Sequence, residues 1–278
     1  MSLWMLLLWM FSPVWQVQAS PALPVPDWTE YRLIAHGMGG IDGKTLTNSY
    51  DAFKINYEQG IRVFETDLRL TSDGQSVALH DWTAFLFRAR GQDVPDPSDR
   101  KPVDWQTFKA LKVDKTYAPL DIHDIIELLE QHPDAWIITD TKDVSEQLVK
   151  RHFQRIAEAI EQSPLPDVGS RIIPQLYKPE MYDWVESQYA FSSYIYTLYL
   201  TNAADEDVLQ FVKEKPKIKA VTMPKERISP SLVSALHKLG VKTYTHTVND
   251  LSTYQSVRHK GLDGVYTDFL HPGSLADE

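Results

Sequence analysis

From about Tyr31 to Asp268, short apolar segments alternate with amphipathic ones, and this alternation constrains the fold more than any other feature. The strand candidates are residues 31–36, 62–70, 77–80, 135–140, 171–176, 193–200, 218–223, 241–248 and 263–268. Each is a run rich in β-branched and aromatic side chains. Between them, residues 48–59, 105–112, 122–131, 145–162, 205–215, 230–239 and 251–259 carry apolar side chains at helical spacing. Strands alternating with helices imply parallel pairing through right-handed crossovers. That pattern predicts a single TIM-type (β/α)8 barrel, and 278 residues suit one such barrel. Nine candidates compete for eight places. Segment 77–80 follows 62–70 across a Ser72-Asp73-Gly74 turn, and is the one expected outside the barrel. A doubly wound open sheet is the alternative, but no strand is followed by a G-x-G-x-x-G loop.

The balance of 28 Lys+Arg against 38 Asp+Glu leaves a formal charge of −10. That field argues against non-specific nucleic-acid binding and against a polybasic membrane patch. With no cysteine, the chain has no disulfide framework, thiolate zinc site or cysteine nucleophile. Residues 3–15 are almost purely apolar, and no charged side chain precedes Asp27. The run falls short of the roughly 20 residues that span a bilayer and matches the apolar region of a secretory signal, with a cleavage position after Ala19. Residues 1–19 therefore read as a signal peptide or N-terminal membrane anchor, 20–27 as a Pro-rich linker and 28–278 as the barrel. The expected location is extracellular or in the cell envelope, with peripheral membrane contact or anchoring as an option.

His36, Glu65, Asp67, His80, Asp140 and Lys142 all sit at or just past the carboxyl ends of strand candidates. In a β/α barrel that is the face where the βα loops converge on the active site. Residues two apart on a strand point the same way, so Glu65 and Asp67 aim two carboxylates into one crowded site. Two carboxylates share such a site cheaply only when a cation or proton joins them. Hard oxygen ligands of this kind suit Ca2+ or Mg2+. Asp140 and Lys142 repeat the spacing, offering one anion to a metal and one cation to an anionic substrate. Either strand-end histidine alone reads as structural; two beside paired carboxylates read as functional.

These residues lie in longer motifs. Ala35-His36-Gly37, Asn48-Ser49 with Ala52-Phe53, residues 60–68 (GIRVFETDL) and 71–81 (TSDGQSVALHD) resemble the glycerophosphodiester phosphodiesterase family. The likeness continues through residues 137–142 (IITDTK), Gln175, residues 247–249 (TVN) and 261–268 (GLDGVYTD). The resemblance implies a phosphatidylinositol-phospholipase-C-like barrel that hydrolyses a glycerophosphodiester or phospholipid-derived diester. It implies that Glu65, Asp67 and Asp140 hold the divalent cation, Ca2+ or Mg2+. It implies that His36 and His80 are the general acid–base pair and that Lys142 binds the phosphate. A substrate hydroxyl beside the phosphodiester would attack to form a cyclic phosphate, which water then opens.

Three positions depart from the family pattern. Gly37-Met38 stand where it has an arginine, Thr47 where it has a glutamate, and Asp140 where it has the longer glutamate. Arg69, Arg88 and Lys225 are candidates for the lost cation. His246 reads either as facing substrate at the barrel mouth or as packing. Trp82 and Phe85 read either as an apolar rim or as loop anchors, and His123, His132, His152, His237 and His259 as surface residues of helices. Two other functions stay open: a metal-independent phospholipase-C-type lyase, and a non-catalytic barrel binding a polyol phosphate or cell-envelope polymer.

Overall fold

The structure, a computed structural model, describes residues 25–90 and 101–275. The signal or anchor segment and most of the Pro-rich linker lie outside the described residues. The strands are β1 (Leu33–Ala35), β2 (Val63–Leu70), β3 (Ser76–Ala78), β4 (Trp136–Asp140), β5 (Ile172–Leu176), β6 (Tyr194–Thr197), β7 (Ile218–Thr222), β8 (Lys242–Thr245) and β9 (Gly264–Thr267). β1 pairs in parallel with β2 on one side and β9 on the other, and the remaining parallel pairs run in chain order. The result is a closed eight-stranded barrel. β3 is the strand outside it, antiparallel to β2 with Leu68 opposite Ala78.

A period of two along each strand sorts the side chains. Ile34, Val63, Ile138, Ile173, Ile195, Ala220, Tyr244 and Tyr266, one from each barrel strand, form an interior cluster with Trp28. Trp28 lies in the short 3-10 turn Trp28–Glu30 before β1, is buried, and its indole N–H donates to Ser193 Oγ at 3.0 Å. It closes the amino-terminal end of the barrel. The intervening residues, among them Phe64, Ile137, Ile172 and Val265, belong to a second cluster that they share with the helices.

The helices are α1 (Tyr50–Glu58), α2 (Trp82–Arg90), α3 (Trp105–Ala110), α4 (Ile122–Gln131), α5 (Glu146–Gln162), α6 (Glu180–Glu186), α7 (Asp205–Glu214), α8 (Pro230–Lys238) and α9 (Leu251–His259). α2 and α6 are not among the helices named from sequence. Trp82 and Phe85 are buried and pack on Phe108 of α3, so they anchor α2. His152 is also a correction to its surface reading. It is fully buried on α5 and its Nε2 lies 2.9 Å from Asp143. Among the described residues no helix is long and apolar enough to cross a membrane.

Candidate active site

Two residues beyond the apolar layer, the same inward direction reaches His36, Glu65, Asp140, Gln175, Thr197, Thr222, His246 and Asp268. The next step along β2 reaches Asp67. The sequence-level motif is therefore the second tier of a barrel whose first tier is apolar.

Glu65, Asp67 and Asp140 are buried, and each offers an oxygen within 4.8 Å of the others. Glu65 Oε2 accepts the Gly37 N–H at 2.8 Å, while its Oε1 is buried without a partner. Gly37 has φ +55°, and a Cβ there would lie 2.9 Å from Leu46 Cα. Glycine thus lets the backbone approach the carboxylate where the family places an arginine. Burial, then the neighbouring Asp67, raises the Glu65 carboxyl well above the usual range. Burial would raise Asp67 as well, but the Lys142 ammonium outweighs it and holds that carboxyl low.

Lys142 adopts φ +51° and reaches back, its Nζ 2.7 Å from Asp67 Oδ1 and 2.6 Å from Asp140 Oδ2. Burial works against its charge, but Asp140 and Asp67 more than restore it and raise its pKa. Tyr177 OH donates to Asp140 at 2.7 and 2.8 Å. One ammonium against three buried carboxylates leaves negative charge and an orphaned oxygen on Glu65. That donor set, all carboxylate oxygen, fits a hard divalent cation.

His36 sits beside this cluster. Its Nδ1 lies 3.0 Å from Asp268 Oδ1. Burial would lower the imidazole's pKa, but the hydrogen bond to Asp268 and the charge of Glu65 raise it. His80 arrives by another route. The Thr71–Gly74 turn folds β3 back along β2, and Leu79 N–H donates to Asp67 O at 3.0 Å. The antiparallel register puts Leu79 opposite Asp67 and His80 one residue beyond, where its Nδ1 lies 3.1 Å from Asp81 Oδ2. Its side chain is 42% exposed, open to a substrate. His80 thus ends a strand outside the barrel, unlike the other five residues.

Two asparagines grip the site in the same way. Asn48 Oδ1 accepts from Asp67 N–H at 2.9 Å and Thr66 Oγ1 at 3.1 Å, while its Nδ2 donates to Asp67 Oδ2 at 2.9 Å. Asn249 Oδ1 accepts from Asp268 N–H at 2.8 Å and Thr267 Oγ1 at 3.2 Å, while its Nδ2 donates to Asp268 Oδ2 at 2.7 Å. Each asparagine immediately precedes a helix N-cap, Ser49 of α1 or Asp250 of α9, and clamps a Thr-Asp pair on the next strand at the mouth of the barrel. The chain separations are identical at 18 and 19 residues. The two clamps form a short internal repeat, an Asn followed at fixed spacing by Thr-Asp.

His246 faces the mouth. Its ring lies 3.7 Å from the Tyr199 ring and 5.8 Å from that of His36. Burial, then the charge of His36, lowers its pKa to about 3, so it is neutral at working pH. Arg69 donates through Nε to His80 O at 3.1 Å and lies 3.8 Å from Asp143. Asp143 is held in turn by His152, so this cation braces two loops of the site. Arg88 donates to Thr45 O at 3.1 Å from α2. Lys225 is exposed on the 3-10 turn Lys225–Arg227. Thr47 is buried against Ser49, with their hydroxyls 3.0 Å apart. Sequence reasoning did not assign roles to Asp268, Asn48, Asn249, Tyr177 or Tyr199. The period of two identifies Asp268 from Tyr266, whereas the tyrosines carry no local signal.

The sequence matches the glycerophosphoryl diester phosphodiesterase family over residues 40–271. His36 lies just before the matched segment. No curated protein matches the chain. Solved structures share the fold. An Oleispira antarctica phosphodiesterase in complex with the product sn-glycerol-3-phosphate aligns at TM-score 0.67 and 19% identity, covering 86% of this chain and 93% of that one. A Thermotoga maritima glycerophosphodiester phosphodiesterase aligns at TM-score 0.62 and 22% identity, covering 85% and 93%. A Parabacteroides distasonis glycerophosphodiester phosphodiesterase aligns at TM-score 0.67 and 14% identity, covering 85% and 92%.

Proposed function

Because the chain belongs to the glycerophosphoryl diester phosphodiesterase family, and is thereby a phosphoric diester hydrolase, we propose that it cleaves glycerophosphodiesters by metal-assisted acid–base catalysis with His36 and His80. Glu65, Asp67 and Asp140 are the residues that would hold the cation, Ca2+ or Mg2+. When bound, such an ion neutralises phosphoryl charge and lowers the pKa of an attacking hydroxyl. The observation that carries the reading is the buried acidic triplet with the unpartnered Glu65 Oε1, flanked by two carboxylate-paired histidines. It favours this reading over a metal-independent lyase, which has no use for three buried carboxylates.

His36, paired with Asp268, takes the proton of the glycerol hydroxyl as its oxygen bonds to phosphorus. His80 gives a proton to the departing alkoxide as its P–O bond breaks. The roles reverse when water opens the cyclic phosphate. Lys142 binds a phosphoryl oxygen, and neutral His246 contributes a hydrogen bond at the opposite wall. The apolar run at residues 3–15 supports export, and sequencing the amino terminus of the mature protein tests it: a start near Ser20 is expected, and a cytosolic protein retaining Met1 contradicts it.

The activity is tested by alcohol release from glycerophosphodiesters after chelation and re-addition of Ca2+ or Mg2+. Activity that returns with the metal, and a metal-dependent rise in melting temperature that Asp67→Asn abolishes, are expected. Equal thermal shifts in wild type and Asp67→Asn remove the metal site.

A further inference from the structure

Beside His80 lies a cavity of about 130 Å3 that none of the groups assigned above fills. Its walls come from the β1–α1 loop, the β3–α2 turn, α2 and the segment before α4. Leu46, Leu79, Phe85 and Val113 make it apolar, and Arg88 and His80 supply the charged parts. Leu79 N–H donates to Asp67 O at 3.0 Å, and the next residue, His80, lines this cavity, so His80 stands between the acidic cluster and the cavity. A group that takes a proton from His80 and moves away from the cluster enters it.

We propose that this cavity is the subsite for the departing alcohol, and that Arg88 makes it select neutral or anionic alcohols over cationic ones. The proposal deepens the phosphodiesterase reading and rests on it. The cavity is small beside the roughly 300–1,000 Å3 of drug-sized ligand pockets, so it takes a short head-group alcohol and excludes a diacylglycerol. Its apolar walls suit a branched carbon skeleton. Among the described residues the charge balance comes from three groups, His80, Asp81 and Arg88. Asp81 also borders the space, but its Oδ1 accepts the Ala84 N–H at 2.7 Å and its Oδ2 faces His80 at 3.1 Å. That carboxylate is committed to the imidazole it orients. Among the described residues, Arg88, anchored on the Thr45 carbonyl, presents the remaining charge, and it is positive. In the step itself the glycerol oxygen bonds to phosphorus and the P–O bond to the alcohol breaks. The His80 proton goes to the alkoxide, and the neutral alcohol leaves through the cavity.

The test compares two diesters that differ in charge alone: glycerophosphocholine, and its isostere carrying 3,3-dimethylbutanol. With metal present, wild type should favour the neutral isostere by about tenfold in kcat/KM, the order of one partly screened like-charge contact. Arg88→Gln should bring the ratio within about twofold. Both substrates are read on one preparation, so the ratio is independent of the folded fraction. Val113→Phe, which fills the cavity, should lower kcat/KM for both relative to the methyl diester of glycerol phosphate. A wild-type ratio near one, or a ratio unmoved by Arg88→Gln, overturns the subsite. Failure to hydrolyse any diester overturns the phosphodiesterase reading and the subsite with it, and is recognised as total loss rather than a changed ratio.

Discussion

At His36 burial and charge act in opposite directions. Burial alone favours the neutral ring, but the carboxylate of Asp268 at 3.0 Å, with Glu65 nearby, tips the balance toward the imidazolium. A base in that setting stabilises the charge it acquires. His36→Ala should therefore lower kcat by about 10²–10⁴-fold, the range for a general acid–base group, with melting temperature nearly unchanged. Asp268→Asn removes the charge that raises the pKa. The limb of the pH–rate profile belonging to His36 should move to lower pH in that variant. A stable His36→Ala enzyme with full turnover would end the assignment. The asparagine clamps make a paired prediction. Asn48→Ala and Asn249→Ala each remove three hydrogen bonds to a Thr-Asp pair, and each should cost about 1–3 kcal/mol in chemical denaturation. Asn48 also has φ +47°, so alanine there adds strain that Asn48→Gly relieves without restoring the bonds.

The β2–β3 hairpin and α4 meet at Asp121. Its side chain caps α4 by accepting from His123 and Asp124 N–H at 2.9 and 3.0 Å, and it accepts from Trp105 Nε1 at 2.8 Å. Its backbone bridges Val77 of β3, so it also steadies the strand that delivers His80. Burial would raise this carboxyl, but the Asp124 N–H, Trp105 and Lys109 together lower it. A carboxyl depressed in the folded state adds stability above its unfolded pKa of about 3.9, and that stability is lost as pH falls through the folded value. Asp121→Ala should cost about 1–2 kcal/mol at pH 7, as a lost cap does, and the gap to wild type should narrow below about pH 4. Denaturant titrations at both pH values check this; a gap independent of pH would count against the charged cap. α2 and α6 went unread at this scale for different reasons. α2 carries aromatic residues whose partner, Phe108, belongs to another helix, α3. α6 has only seven residues and begins after Pro179, too short for a periodic pattern.

Across the whole molecule the two ends of the barrel carry different duties. Trp28 fills the amino-terminal end, and the charged tier fills the other. Trp28→Ala should cost about 3–5 kcal/mol, the usual loss for a large buried aromatic, and leave kcat per folded molecule unchanged. Thermal unfolding and active-site titration together separate these effects. A fall in kcat without loss of stability would show the two ends coupled. The division also explains how a chain with formal charge −10 can bind an anion. Lys142 alone leaves the site negative, because Asp67 and Asp140 hold it and Glu65 lies beside them, so a divalent cation on the acidic triplet would be what turns the local field toward an anion.

The order of the strands, the helices other than α2 and α6, an extra strand (expected at 77–80, found at 76–78) and the Glu65–Asp67 pair were legible in the sequence because each is written in a local period, while Asp140 was joined to that pair through the family resemblance. Two-residue spacing put Glu65 and Asp67 on one face, and a turn signal set β3 apart. The partners of those residues were decided by tertiary structure alone. Asp268 meets His36 across 232 positions, and Tyr177 reaches Asp140 across 37. His152 lies in a helical segment that reads as exposed, yet it is buried because α5 turns it toward Asp143. Barrel closure brings β1 against β9, and no local pattern encodes which side chains that contact will join. Periodicity records which way a residue points; the residue it meets depends on how the sheet curves and where it closes.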